Sequence, residues 1–265
     1  MARTTKTKTK TAPPDLATIV AALDTVMESE RFQDASNNGL QVSCSNKPIS
    51  RVCCGVDASL ACFEAAAAQG ADLLVCHHGI SWGSSLKHIT GLNYRHIEFL
   101  IAHDMALWAC HLPLDAHMEL GNNAGIAQVL GLRRCRPFAI YNGTPIGVAG
   151  TLARPLAREA FEQRLAKAVS PRVEAMRFGP PRIRNVGIVA GGGASSVSQA
   201  FEAGLDTFIS GEATLQGYNL AQQLGINAYF CGHYATERFG VQALGRWIEQ
   251  RFGIPATFID LQVPY

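Results

Sequence analysis

The sequence predicts an α/β protein of two similar units with largely parallel sheets, related by internal duplication. Three observations predict it. Strand-like and helix-like segments alternate from residue 51 onward, the rhythm of βαβ units. Residues 52–78 align without a gap on residues 186–212, at a constant offset of 134, and self-similarity of that kind marks a repeated unit. The side chains best suited to bind metal stand just beyond the carboxyl ends of predicted strands, where open parallel sheets gather their functional groups.

The opening residues, MARTTKTKTKTAPP, carry Arg3, Lys6, Lys8 and Lys10 and no acid. Residues 1–14 therefore read as a disordered basic tail, with neither the apolar region of a secretory signal nor an amphipathic period. Asp15 can cap a helix in which Leu16, Ile19, Val20, Leu23 and Met27 recur at helical spacing. A polar loop, Asn37 to Val42, leads to the first clear strand, Arg51 to Val56. Then follow a helix from Ser59 to Gln69 closed by Gly70, a strand from Asp72 to Cys76, a helix from Tyr94 to His103 and a strand from Met105 to Cys110. Strand-like pieces at 139–141 and 146–149, a helix at 156–169 and a loop at Gly179-Pro180-Pro181 come before the second copy. That copy has strands at Val186 to Ala190 and Asn227 to Cys231, and Gly70 to Val75 lies over Gly204 to Ile209. Ala106 to Cys110 matches Asn227 to Cys231 at a different offset. The expected organisation is a metal-site domain of residues 15–133 plus 230–265, with a second α/β domain of residues 134–229 between them.

Composition excludes several classes. Of 265 residues, 48% are hydrophobic and 17% charged, too apolar for a disordered or fibrous chain. The net charge is +2 with the tail included, so the folded part is slightly acidic and nucleic acid is not an expected partner. No apolar run approaches the ~18–20 residues that cross a bilayer. Eight cysteines contain no C-x-x-C pair, and most lie in strand-like runs as small hydrophobes. A cytoplasmic protein is expected, with no membrane partner.

Three strand tips carry the chemistry. His77 and His78 follow one strand; His111, Asp115 and His117 follow another; His233 and Glu237 follow a third, four apart at a helix start. That spacing puts both on one helical face. Adjacent histidines at a strand end point different ways, which suits two ions better than one. Imidazole and carboxylate without thiolate suit Zn, Fe, Mn, Co or Ni. The glycine run Gly191-Gly192-Gly193 before Ser195 and Ser196 lacks the Lys-Ser/Thr of a P-loop and reads as a tight turn with a serine cap. His88, His96 and His103 read as structural or surface residues, and no nucleophilic triad spacing is present.

At these residues the chain resembles the type 2 GTP cyclohydrolase I homologues, also called NIF-three-like dinuclear metal-centre proteins, in their short bacterial form. The motifs are Asn38-Gly39-Leu40-Gln41-Val42, Val75-Cys76-His77-His78-Gly79, His111 to His117 continuing to Gly121-Asn122-Asn123, Ser210-Gly211-Glu212, and Gly232 to Glu237. The resemblance covers nearly the whole chain after the tail and lacks the mid-chain insertion of longer members. It implies two interlinked α/β domains in a toroidal homohexamer. It also implies two divalent ions per chain, held by His77, His78, Asp115, His233 and Glu237.

Two functions are consistent with this. One is a metal-dependent hydrolase acting on a nucleotide or other small molecule, as in ring-opening hydrolysis of GTP, with Glu237 bridging the ions and His111 or His117 carrying protons. The other is a non-catalytic metal-binding protein or ring-shaped interaction scaffold, favoured by the missing nucleotide motif.

Overall fold

The computed structural model describes residues 13–265. The expected basic tail lies outside the described residues except for Pro13 and Pro14, and the Pro14 carbonyl already accepts the Ile49 N–H at 2.9 Å. Helix α1 (Leu16–Met27) begins where Asp15, with extended backbone, accepts the Thr18 N–H at 2.8 Å. This satisfies one of the first turn's orphan donors. The segment expected to be a polar loop instead contains strand β1 (Gly39–Val42), paired antiparallel with β4 (Ala106–Ala109). Its polarity misled because it is an edge strand, nowhere fully buried.

The first sheet has the order β1-β4-β3-β2-β11, with β2 at Val52–Asp57, β3 at Leu73–His78 and β11 at Ala256–Phe258. All pairs except β1–β4 are parallel. Helices α2 (Leu60–Ala68) and α3 (Gly91–Ala102) cover one face, and α1 and the 20-residue α9 (His233–Phe252) cover the other. Alternation explains the continuous apolar runs: Leu73 and Val75 enter the core under α1 and α9, whereas Leu74 and Cys76 enter the opposite one. At the end of β3 this alternation gives way: the His77 and His78 rings lie 4.6 Å apart, centroid to centroid, and both turn toward Glu237.

The second sheet has the order β5-β6-β8-β9-β10-β7. Its centre, β8 (Arg182–Ile188), β9 (Thr207–Ser210) and β10 (Asn227–Phe230), is parallel. It is flanked by the antiparallel hairpin β5 (Leu132–Tyr141) and β6 (Thr144–Ala157), and by antiparallel β7 (Glu174–Arg177). This sheet is therefore more mixed than the sequence suggested, and the short edge strand β7, with one buried residue in four, carried no apolar run to reveal it. Helices α5 (Asn122–Val129) and α6 (Arg158–Ala168) pack on one face, α7 (Val197–Glu202) and α8 (Leu215–Leu224) on the other. The remaining helix, α4 (Leu112–Ala116), links β4 to α5.

The duplication is written in the hydrogen bonds. Asp72 accepts the Ser50 and Arg51 N–H groups at 2.8 and 3.2 Å, and Asp206 accepts those of Arg184 and Asn185 at 3.0 and 2.8 Å. Each pair is separated by the same offset of 134. Gly70 and Gly204 both have φ of +69°, the left-handed turn that ends each helix and that glycine adopts without steric cost.

Candidate metal centre

The carboxyl ends of β3, β4 and β10 face one another across the two sheets. His77 is fully buried and its Nδ1–H donates to the Cys110 carbonyl at 2.9 Å. His78 donates through Nδ1 to Asp57 at 2.8 Å, and His233 to Glu212 at 2.7 Å. Because each acceptor is a carbonyl or carboxylate oxygen, Nδ1 carries the proton and Nε2 offers a lone pair. The three Nε2 atoms converge on Glu237: His77 at 3.5 Å and His233 at 3.0 Å from Oε1, His78 at 3.2 Å from Oε2. Asp115 Oδ2 lies 3.5 Å from His77 Nε2. Side-chain donors of His78, His233 and Glu237 lie within 4.8 Å of one another, as do those of His77, Asp115 and Glu237.

His77 Nε2 and Glu237 Oε2 are buried without a hydrogen-bond partner, the His78 contact lacking hydrogen-bond geometry. Orphaned buried polar atoms of this kind are costly in a finished protein interior. Divalent metal would satisfy them, and the donor set suits it: imidazole and carboxylate, each imidazole oriented from behind. The carboxylates around the cluster favour a cation there, protons on the imidazoles in the absence of metal or a metal ion in their place. Burial alone would depress the His77 imidazolium, but Asp115 and Glu237 outweigh it and raise its pKa to about 9. Burial opposes the His233 imidazolium too, yet Glu237 and Glu212 hold it up at about 9. Burial pushes the Asp115 carboxyl up. Glu237 is buried as well, but the neighbouring histidines hold its carboxyl well below the ordinary range.

The motifs around the cluster aim it. Asn38 Oδ1 accepts the His111 N–H at 2.8 Å, and Gln41 Oε1 accepts those of Ile80 and Ser81 at 2.8 and 3.0 Å. The edge strand β1 and the residue just before it thus fix the loops after both β3 and β4. Asn122 donates to Asp115 Oδ1 at 2.8 Å and accepts the Gly240 N–H of α9 at 2.7 Å. Asn123 donates to the Asp115 and Ile146 carbonyls at 3.1 and 2.8 Å and accepts the Ala190 N–H at 2.7 Å. The pair locks α5 to α4, to α9 and to the second sheet.

The structure brings His77, His78, Asp115, His233 and Glu237 together and adds His111, a ring nitrogen of which lies within 4.8 Å of donors on His77 and His78. His111 donates through Nδ1 to the buried Asp34 at 2.8 Å. Burial opposes the charge on Asp34, but His111 and Asn38 hold its carboxyl down at about 2. His117 is not brought to the cluster. Its Nδ1 accepts the Glu119 and Leu120 N–H groups at 3.2 and 3.0 Å, tying it into the turn after α4, so a proton-carrying role for it has no geometric support. Asp34 and Asp57 were missed as orienting groups, whereas Glu212, set apart from the ligands in its Ser210-Gly211-Glu212 motif, takes the supporting place behind His233. Gly191 was read only as a turn. Its φ is +61°, and a Cβ there would overlap Glu237 Oε1 and sit 2.8 Å from His233 Nε2. The expected serine cap does not form: no side chain caps the short 3-10 turn at Gly193–Ser196 or α7 after it.

A cavity of about 460 Å³ opens onto the cluster. His78, His111, Asp115, His233 and Glu237 form its polar wall, and Trp82, Leu112, Tyr141, Ile146 and Val189 supply apolar surface. Among the described residues no helix is long and apolar enough to cross a membrane.

Fold and site together define a two-sheet α/β protein with a buried histidine–carboxylate cluster that could bind metal ions, placed at the strand tips where the sheets meet. The chain belongs to the Duf34/NIF3 (NGG1p interacting factor 3) family, whose model matches residues 14–263. It is 41% identical over 247 residues to an Archaeoglobus fulgidus protein named GTP cyclohydrolase 1 type 2 homolog, covering 93% of this chain and 98% of that one. A Deinococcus radiodurans protein of the same name is 44% identical over 229 residues, covering 86% of each. A crystal structure of TTHA1606 from Thermus thermophilus superposes with a TM-score of 0.86 at 32% identity, over 95% of this chain and all of that one.

Proposed function

We propose that this protein is a hydrolase of small molecules that works with two divalent ions. The observation that carries the reading is the convergence of imidazole Nε2 atoms and carboxylates beside a largely apolar cavity, with His77 Nε2 and Glu237 Oε2 buried and left without a hydrogen-bond partner. His77, His78, Asp115, His233 and Glu237 would hold the ions, with Glu237 facing all three imidazoles. When bound, the metals supply Lewis acidity and acidify water at neutral pH. The chain's own residues do the rest. Asp34 fixes the tautomer of His111, so the free ring nitrogen can take a proton from a nucleophile or return it to a leaving group. The apolar walls restrict water beside the cluster.

The names of the relatives suggest GTP as a substrate, and the family resemblance suggests a closed ring of six chains. The test is a metal-replete preparation assayed against nucleotides, nucleobases and simple amides. Metal-dependent turnover lost in Glu237→Gln is the expected result. A protein that binds two ions tightly and turns over nothing in such a set would favour the non-catalytic metal-binding reading.

A further inference from the structure

The charge and shape of the cavity discriminate between substrate classes. No lysine or arginine lines it. Its fixed charges are the carboxylates of Asp34, Asp115 and Glu237, and the histidines beside them already pair with those carboxylates. A triphosphate needs several cationic or amide donors; without metal this wall offers chiefly the Gly192 and Gly193 backbone and the Ser195 and Ser196 hydroxyls against three carboxylates.

The remaining wall suits a flat, uncharged group. Trp82 is rigid: its Nε1–H donates to the Gly79 carbonyl at 2.8 Å and its backbone N–H to Ser85 Oγ at 2.8 Å. Next to it the Gly83 N–H donates to the Ala35 carbonyl at 2.8 Å. The indole stands 5.0 Å from the His111 ring and 5.8 Å from the His78 ring, centroid to centroid, so it adjoins the cluster directly. From the other sheet the β5–β6 hairpin reaches across, held by Asn142 donating to the Gln33 carbonyl at 3.1 Å. It contributes Tyr141 and Ile146 to the same cavity. Tyr141 is 52% exposed, so its ring is free to meet a ligand that enters the cavity.

From this we infer that the cavity binds an uncharged planar heteroaromatic ring against Trp82, and that the metal-free protein accepts a purine-type base or nucleoside in preference to its triphosphate. Trp82 is then the residue that sets specificity. The inference rests on the cavity being the substrate side of the metal centre, but it does not require hydrolysis.

The experiment measures equilibrium binding of guanosine and of GTP to the full chain, metal-stripped and zinc-loaded, for the native protein, Trp82→Ala, Trp82→Phe and the control Trp247→Ala. Stacking of a base on an aromatic side chain contributes enough that its removal weakens binding about tenfold or more. In both metal states guanosine should bind, Trp82→Ala should weaken it by that factor, and Trp82→Phe and Trp247→Ala should largely retain it. In the metal-stripped protein GTP should bind no more tightly than guanosine. Tighter GTP binding without metal, undetectable guanosine binding, or an unchanged affinity in Trp82→Ala would each overturn the inference. Guanosine binding as expected without turnover of any substrate would instead remove the hydrolase reading and leave this one standing.

Discussion

Glu237 faces three imidazoles at once, and its two oxygens are divided between them. Glutamine keeps the shape and loses the anion, so Glu237→Gln should reduce metal content by at least one ion per chain. Glu212 contacts only the far nitrogen of His233. Loss of such an orienting partner weakens metal affinity on the order of 10–100-fold, and Glu212→Gln should still fill at high metal concentration. Metal titration of both variants separates them, and equal losses would show that the roles are misassigned. Gly191→Ala tests the same point from the backbone. The added methyl meets Glu237 and His233 in a left-handed conformation, so metal content should fall as in Glu237→Gln, whereas His117→Ala should leave it unchanged.

At the scale of elements, the duplicated strand–helix–strand unit has diverged in how it ties its strands. Burial works against ionisation of Asp72, but the Ser50 amide and hydroxyl and the Lys47 ammonium outweigh it and hold its carboxyl below the ordinary range. Asp206 receives the equivalent amides, but arginine replaces Ser50 and proline replaces Lys47 in the second copy, and burial leaves its carboxyl raised. The signs of the two contributions therefore differ. With a depressed folded pKa, Asp72 stabilises the fold above its unfolded value of about 3.9 and loses that contribution as pH falls through the folded value. Asp72→Asn should lower Tm by a few degrees at pH 7, with the gap closing below about pH 4. Asp206→Asn should cost less at pH 7, because its charged form already carries a net penalty. Thermal melts across pH check both, and a gap for Asp72→Asn that widens in acid would contradict the assignment.

The whole molecule is held as one piece by α9, which packs on the first sheet and on α5 under the second while presenting His233 and, one turn on, Glu237 near its start. Exposed apolar side chains remain, among them Ile89, Leu92, Tyr94 and Ile101 in and just before α3, and Leu215 on α8. Their number suits burial in an assembly. Light scattering at micromolar concentration should return a closed oligomer, a hexamer on the family resemblance; a monomer mass would refute it. Deleting residues 2–12, which offer almost no apolar side chain, should leave both Tm and metal content unchanged.

The amino-acid order by itself determined the α/β class, the offset of 134 and the candidate ligands, because each is local: apolar periodicity, repeated spacing, and histidine or carboxylate just past a strand. The tertiary structure decided what local pattern does not encode. The orienting oxygens Asp57 and Glu212 each lie 21 residues from their histidines, and Asp34 lies 77 from His111. At those separations only packing selects the partner. The same cause separates His111 from His117. Both follow β4, but the tight turn of α4 directs one ring into the cavity wall and engages the other with its own backbone. Edge strands β1 and β7 were missed for the complementary reason, since a strand buried little on either face leaves no hydrophobic period to read.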